Sequence, residues 1–275
     1  MNITVHGATG SQGAPVAALL TAAGHDVRPA TRASGADLGD RASLEAAYAG
    51  PDAVVLQLPL VYDERALAMG ENAARAAEAA DIRHLVINAG APLPPEPIGV
   101  PFLDARHRAA GAGVPLVTVL QPTTYLENLN SPWSAERVVR DGVVAYPRPA
   151  DAPVYWVSAQ DVAVAVQRSL DRSVAGWFAL PGEPLTGDEL ARSLGEGLGR
   201  RLRWQTISPE AFADALRPHL GDHAAEGTAA VYRMLAELPP GPAPDPSPAR
   251  EALGWAPRDP ATWAREAPWP LRLAA

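Results

Sequence analysis

The 275-residue chain contains neither cysteine nor lysine. Without cysteine there is no disulfide, no zinc-thiolate site and no thiol nucleophile. Without lysine there is no Schiff-base chemistry, no phosphate-loop lysine and no Tyr-x-x-x-Lys acid–base pair. All 23 basic side chains are therefore arginine, a bias that fits a GC-rich coding sequence abundant in Ala, Gly and Pro. Long apolar runs are missing too, and none suffices to cross a bilayer. The first residues enter a strand directly, with no basic stretch or apolar segment, which predicts no secretory signal and a cytoplasmic location. The net charge of −8 argues against nucleic acid or an anionic membrane as partner. The length is enough to bury a full core, as one large domain or a domain with a lobe.

What is present is an alternation of apolar strands and amphipathic helices. Strands are expected at 2–6, 26–31, 53–60, 84–90 and 115–122, with helices at 14–23, 40–49, 63–80 and 102–112 between them. Asp40 is an N-cap candidate, and Pro29 weakens the second strand. This rhythm predicts βαβ units and a doubly wound parallel sheet with helices on both faces. After residue 128 it changes. SAERVVRDG reads as a helix, VVAYP as a short strand, and VYWVSAQDVAVAVQRSL as a loop leading into a helix. GWFALPG and RLRWQTIS read as strands on either side of the helix LTGDELARSLGEGLG. Six prolines in PPGPAPDPSP predict a loop over 239–248.

HGATGSQGAP, at 6–15, joins the first strand to the first helix. Gly7 is expected to make the tight turn, Gly10 to let a pyrophosphate approach the backbone, and Gly13 to let helix and strand pack closely. Free amides and the dipole of the first helical turn would hold the phosphates, and Pro15 is tolerated there. The alternative is a bare structural turn; the strand before, the helix after and the βαβ series that follows favour a dinucleotide. No acid stands at the end of the second strand, where an NADH-binding chain places one for the ribose. Thr31–Arg32 stands there instead. A guanidinium at Arg32 suits a 2′-phosphate, so NADPH is expected over NADH, against the alternative of a solvated surface arginine.

The ordered set GATGSQG, VRPATR, ADLGDRASLEAAYAGPDAVVLQLP, HLVINAG, GVPLVTVLQPTTYLENL, VSAQDVAVAV and LTGDELARSLGEGLGR resembles the NmrA-like branch of the atypical short-chain dehydrogenases. The resemblance implies an α/β fold: a Rossmann-type doubly wound parallel sheet with a smaller C-terminal α+β substrate lobe. The expected division is a NADP(H)-binding domain over 1–128, its sheet completed by about 150–182, and a lobe from 129–149 and 183–275. By the same resemblance Thr9, Gly10, Ser11 and Gln12 would line the pyrophosphate and Arg32 the 2′-phosphate. Asp37 and Leu38 would flank the adenine, Leu58 and Pro59 would lie towards the ribose, and Asn88, Ala89 and Gly90 near the nicotinamide. The chain also departs from the family. Reductases of this type often keep a lysine in the helix before the GVP strand, and PFLDARHRAAGAG offers only Arg106, His107 and Arg108. Gln121 stands where an arginine is frequent.

Reduction of a ketone needs a proton for the emerging alkoxide, usually from a tyrosine tuned by lysine. A quinone needs less help, because its reduced anion is delocalised. The missing lysine therefore points to a quinone or aromatic polyketide-like substrate. Phe102, Tyr125, Trp133, Tyr146, Tyr155 and Trp156 could form a flat apolar site, though each alone also reads as core packing. His107 is the acid–base candidate, with an exposed helix histidine as its alternative. Asn88 is a second catalytic candidate. His219 and His223, a helical turn apart beside Asp222, lack a third metal ligand, and no metal is expected. Glu127–Asn128 is read as holding the lobe. The leading reading is an NADPH-dependent oxidoreductase in natural-product tailoring, as monomer or homodimer. The rivals are a non-catalytic NADP(H) sensor and an oxygenase-type tailoring enzyme.

Overall fold

A computed structural model describes residues 1–238 and 241–269. In chain order the strands are β1 (Asn2–His6), β2 (Asp26–Ala30), β3 (Ala53–Gln57), β4 (His84–Asn88), β5 (Leu116–Pro122), β6 (Thr124–Tyr125), β7 (Val143–Tyr146), β8 (Val154–Val157), β9 (Gly176–Leu180), β10 (Glu183–Leu185) and β11 (Arg203–Thr206). The helices are α1 (Gly13–Ala22), α2 (Arg41–Ala47), α3 (Arg65–Ala79), α4 (Pro101–Ala110), α5 (Glu127–Asn130), α6 (Ala159–Asp171), α7 (Gly187–Leu198), α8 (Pro209–Glu237), α9 (Ser247–Leu253) and α10 (Pro260–Glu266). The chain forms two compact units. One holds residues 1–123, 159–180 and 245–256; the other holds 124–158, 181–244 and 257–275.

The first unit is a six-stranded sheet in the order β2-β1-β3-β4-β5-β9, parallel throughout. Its inner strands read as near-continuous apolar runs, as strands covered on both faces must. Helices α2, α3 and α4 pack side by side, and α1, α6 and α9 form a second neighbouring set. Pro29 sits in β2, an edge strand, where a missing ladder donor is tolerated. Asp40 caps α2 through the Ala42 amide at 3.0 Å, as its place before an apolar-periodic segment predicts. From β1 the chain moves outward to β2 and then returns across β1 to β3. The carboxyl ends of β1 and β3 therefore part company, and such a switch point is where doubly wound sheets bind ligands.

The second unit carries a three-stranded sheet, β10-β8-β6, and a parallel pair, β11-β7. Its core gathers Leu126, Tyr146, Trp156, Leu190, Phe212 and Trp263, among others. Glu127 Oε1 accepts from the Trp263 indole at 3.0 Å, and the Asn128 amide donates to the Tyr146 hydroxyl at 3.0 Å. Both residues thus serve the interior of this unit.

Three expectations need correction. The residues before α6 form β8 rather than a loop, because Val154–Val157 pair with β6 on one side and β10 on the other. The helical stretch α8 was not anticipated, and it breaks at Gly221 (φ 78°, ψ 169°). His219 and His223 fall on opposite sides of that break, so they do not share one continuous helical face. The proline-rich segment ends inside α9, since Pro248 occupies a first-turn position that needs no amide hydrogen. Its first two residues, 239 and 240, lie outside the described residues.

Candidate active site at the sheet switch point

The turn after β1 is built by its glycines. Gly7 has φ +65°, a conformation glycine adopts without strain. Its amide donates to the Ala30 carbonyl and its carbonyl accepts from Gly10 at 2.8 Å, which folds the turn onto the end of β2. A Cβ at Gly13 would lie 2.2 Å from the Gly7 carbonyl oxygen, so only glycine lets α1 start this close to β1. At Gly10 an added Cβ would meet the same oxygen at 3.3 Å and nothing else within 4 Å. Thr9, Gly10 and Ser11 are exposed above the first turn of α1, where the Ala14 amide donates to the Gly10 carbonyl at 2.9 Å and Pro15 carries no amide hydrogen.

Three amides converge beside this turn. Gln12 Oε1, at the N-cap of α1, accepts from Gln57 Nε2 at 2.5 Å and from Asn88 Nδ2 at 3.2 Å. Gln57 ends β3 and Asn88 ends β4, so the bonds tie the glycine turn to both neighbouring strand ends. Asn88 Oδ1 in turn accepts from the Gly90 amide at 3.1 Å, where the chain turns with φ +69°. Gln57 was missed in the sequence, although a polar residue closing the apolar run AVVLQ is the signal that marks it.

The residues expected to flank the adenine and ribose lie along the same edge. Arg32 is exposed in a short 3₁₀ turn after β2, capped by Thr31; its carbonyl accepts from the Gly35 amide, while its guanidinium has no hydrogen-bond or ion-pair partner among the described residues. Asp37 is exposed, and its Oδ1 accepts from Gly39. Leu38 is half-buried, with its carbonyl held by Asn72. Leu58 is buried and Pro59 exposed just past β3. The glycine cradle and the acid-free end of β2 fit a dinucleotide bearing a 2′-phosphate.

Arg106 lies beneath the ends of β3 and β4, only 1% exposed. Among the described residues no carboxylate forms an ion pair with it. Its Nε donates to the Ala89 carbonyl at 2.9 Å, Nη1 to the Phe102 carbonyl at 2.5 Å and Nη2 to the Leu58 carbonyl at 3.2 Å. Its guanidinium carbon sits 3.7 Å from the centroid of the Phe102 ring. Burial pulls its pKa down to about 9, with Tyr62 acting in the opposite direction. The Tyr62 ring stacks on Phe102 with centroids 5.0 Å apart. Tyr62 was also missed, because it belongs to no recognisable motif. Asn88 and His107 are not brought together: His107 lies against Trp177 of the edge strand β9, ring centroids 5.3 Å apart.

The other aromatic candidates belong to the second unit. Trp156 is 1% exposed and packs edge-on against Tyr146 at 5.1 Å, inside the core. Tyr125 is buried as well, while Trp133 and Tyr155 keep part of their surface exposed. Phe102, 8% exposed, is occupied on its two contacts by Tyr62 and Arg106. For Phe102, Tyr125 and Trp156 the packing alternative is what the geometry displays, because large apolar rings gain most where they are fully covered.

Comparison with known proteins follows the same lines. The model of the NmrA-like family matches residues 1–252. Compared by sequence with curated proteins, the chain matches none. Among solved structures it resembles triphenylmethane reductase from Citrobacter sp. complexed with NADP(H), at 20% identity and TM-score 0.69, covering 98% of this chain and 100% of that one. It resembles an NADPH-dependent quinone oxidoreductase from Escherichia coli at 22% identity and TM-score 0.67, covering 95% and 98%. The negative transcriptional regulator NmrA in complex with NAD matches at 21% identity and TM-score 0.70, covering 98% and 95%. These likenesses establish a shared fold.

Proposed function

The chain belongs to the NmrA-like family, and from that premise we propose that it is an NADPH-dependent oxidoreductase acting on a quinone or another aromatic, polyketide-like acceptor. The observation that carries this reading is the Gly7–Gly13 cradle tied by Gln12, Gln57 and Asn88 to the ends of β3 and β4. Phosphates belong over Thr9, Gly10 and Ser11, where backbone amides and the dipole of α1 point. The 2′-phosphate belongs at Arg32 and the nicotinamide beside Asn88, Ala89 and Gly90. NADPH supplies the hydride, and a conjugated acceptor spreads the resulting charge, which lessens the demand on the proton donor. Reductases of a dye and of quinones among the structural neighbours support an aromatic acceptor.

One observation favours a second reading, a NADP(H) sensor: a transcriptional regulator shares the fold. The deciding experiment is calorimetric titration with NADPH, followed by NADPH oxidation against a panel of naphthoquinones and anthraquinones. Tight binding with turnover of at least one quinone, and little with aliphatic ketones, is expected. Tight binding with every acceptor inert transfers the case to the sensor. Efficient ketone turnover with inert quinones overturns the substrate class.

A further inference from the structure

The buried guanidinium of Arg106 has a consequence for the acid chemistry that the missing lysine leaves open. It is a cation enclosed in the protein, with three backbone carbonyls as its hydrogen-bond acceptors. Such a charge is not spent on an ion pair, so its field reaches neighbouring groups through a medium of low effective dielectric. Phe102 lies one helical turn before it, and the two touch ring face to guanidinium. Tyr62 rests on the same ring, which places the guanidinium within about 9 Å of the phenol ring. Tyr62 stands on the segment leaving β3, five residues beyond Gln57, and it is half-buried. Arg106 itself grips Leu58 on that segment and Ala89 at the end of β4.

We propose that Tyr62 is the proton donor of the reaction and that Arg106 is its positioning residue, a fixed cation replacing the absent lysine from a different place in the chain. The proposal rests on the reductase reading above. A hydride taken from NADPH converts a quinone into a hydroquinone monoanion. The Tyr62 O–H bond then breaks, a new O–H bond forms on the anionic oxygen, and the neutral hydroquinone leaves with NADP⁺. The phenolate left on Tyr62 is stabilised by Arg106 and recovers its proton from water. Asp63 is held by Arg65 at 2.8 Å, Glu64 is exposed, and Asp104 on α4 is bound by the amides of Ile98 and Gly99. A nearby cation favours the ionised phenol, so Tyr62 should ionise below the ordinary tyrosine value of about 10.

The test begins without cofactor, by ultraviolet difference titration of phenolate in the wild-type protein against Tyr62→Phe. One tyrosine ionising about one unit below 10 is expected in the wild type and absent from the variant. Arg106→Met should return that ionisation to the ordinary range. If Arg106→Met fails to fold, the wild type and Tyr62→Phe still decide the matter. With NADPH and an active quinone, Tyr62→Phe should lower kcat about 100-fold with the NADPH dissociation constant unchanged. It should also lose the alkaline limb of the pH–rate profile. An ordinary ionisation for Tyr62, or wild-type turnover by Tyr62→Phe, overturns the proposal. Absence of turnover in the wild type itself defeats the reductase reading, and is distinct from a variant that fails where the wild type succeeds.

Discussion

Arg32 and the turn glycines carry separable tasks, and single substitutions can tell them apart. The Arg32 side chain is exposed and bonds to no partner among the described residues, so its removal should leave the fold intact. NADPH should bind at least about tenfold tighter than NADH, about 1.4 kcal/mol, and Arg32→Ala should erase most of that difference by calorimetry. Equal affinities in the wild type would defeat the assignment. Gly10 and Gly13 should respond differently from each other. Space around Gly10 is open apart from one oxygen at 3.3 Å, so Gly10→Val should fold yet lose NADPH binding. Gly13 has no such room: a Cβ would sit 2.2 Å from the Gly7 oxygen, so Gly13→Ala should shift the turn and lower the unfolding midpoint. Tight binding to folded Gly10→Val would place the phosphate cradle elsewhere.

Helices and strands show where the sequence was legible and where it was not. Among the first five strands, β1, β3 and β4 were readable because they are buried almost throughout, and α2, α3 and α4 because each has a polar side, so composition and period agree. Short elements were harder. Val154–Val157 is four residues long and runs into α6 after one serine, so no turn signal separates them. The stretch 209–237 was obscured by Pro218 and Gly221, which the structure accommodates by breaking the helix. Candidate site residues divided in the same way. The glycines announced themselves by spacing, whereas Tyr62 and Arg106 meet across Phe102, a contact no local pattern encodes. Helix pairing also has a point of failure. A Cβ at Gly70 of α3 would lie 2.1 Å from the Ala105 carbonyl oxygen of α4. Gly70→Ala should therefore push these helices apart, costing about 1–3 kcal/mol in denaturant unfolding. An unchanged midpoint would show that the pair can slide to make room.

At the scale of the whole molecule, acid should be the weak side. His6 is buried beside the Tyr48 hydroxyl at 2.7 Å, and burial pulls its pKa from 6.5 to about 4. His84 is pulled to about 4 by burial first and Arg83 second. Its Nε2 meets Thr118 Oγ1 at 2.8 Å, and that hydroxyl donates to the Val174 carbonyl, so the ring nitrogen is the donor. Both rings are thus neutral in the fold and would protonate readily once unfolded. Below about pH 6.5 the unfolded chain binds more protons, so stability is full above that value and falls as pH drops towards 4. Each histidine contributes a slope of about 1.4 kcal/mol per pH unit in that window. Thermal unfolding from pH 7 to 4.5 should show the loss, and His84→Gln should remove about half of the slope. A melting temperature independent of pH in this range would contradict the buried neutral state. The way the sheet unit is stitched together bears on how the protein comes into being. Residues 245–256 return to it, and the Trp255 indole, 1% exposed, donates to the Asp161 carbonyl at 3.0 Å. A ribosome therefore emits five of the six strands early and withholds the last helix of the unit until long after the sixth strand. During translation the nascent sheet stands with one flank uncovered, and this is the interval in which chaperones or a paused codon would have the greatest leverage over its yield.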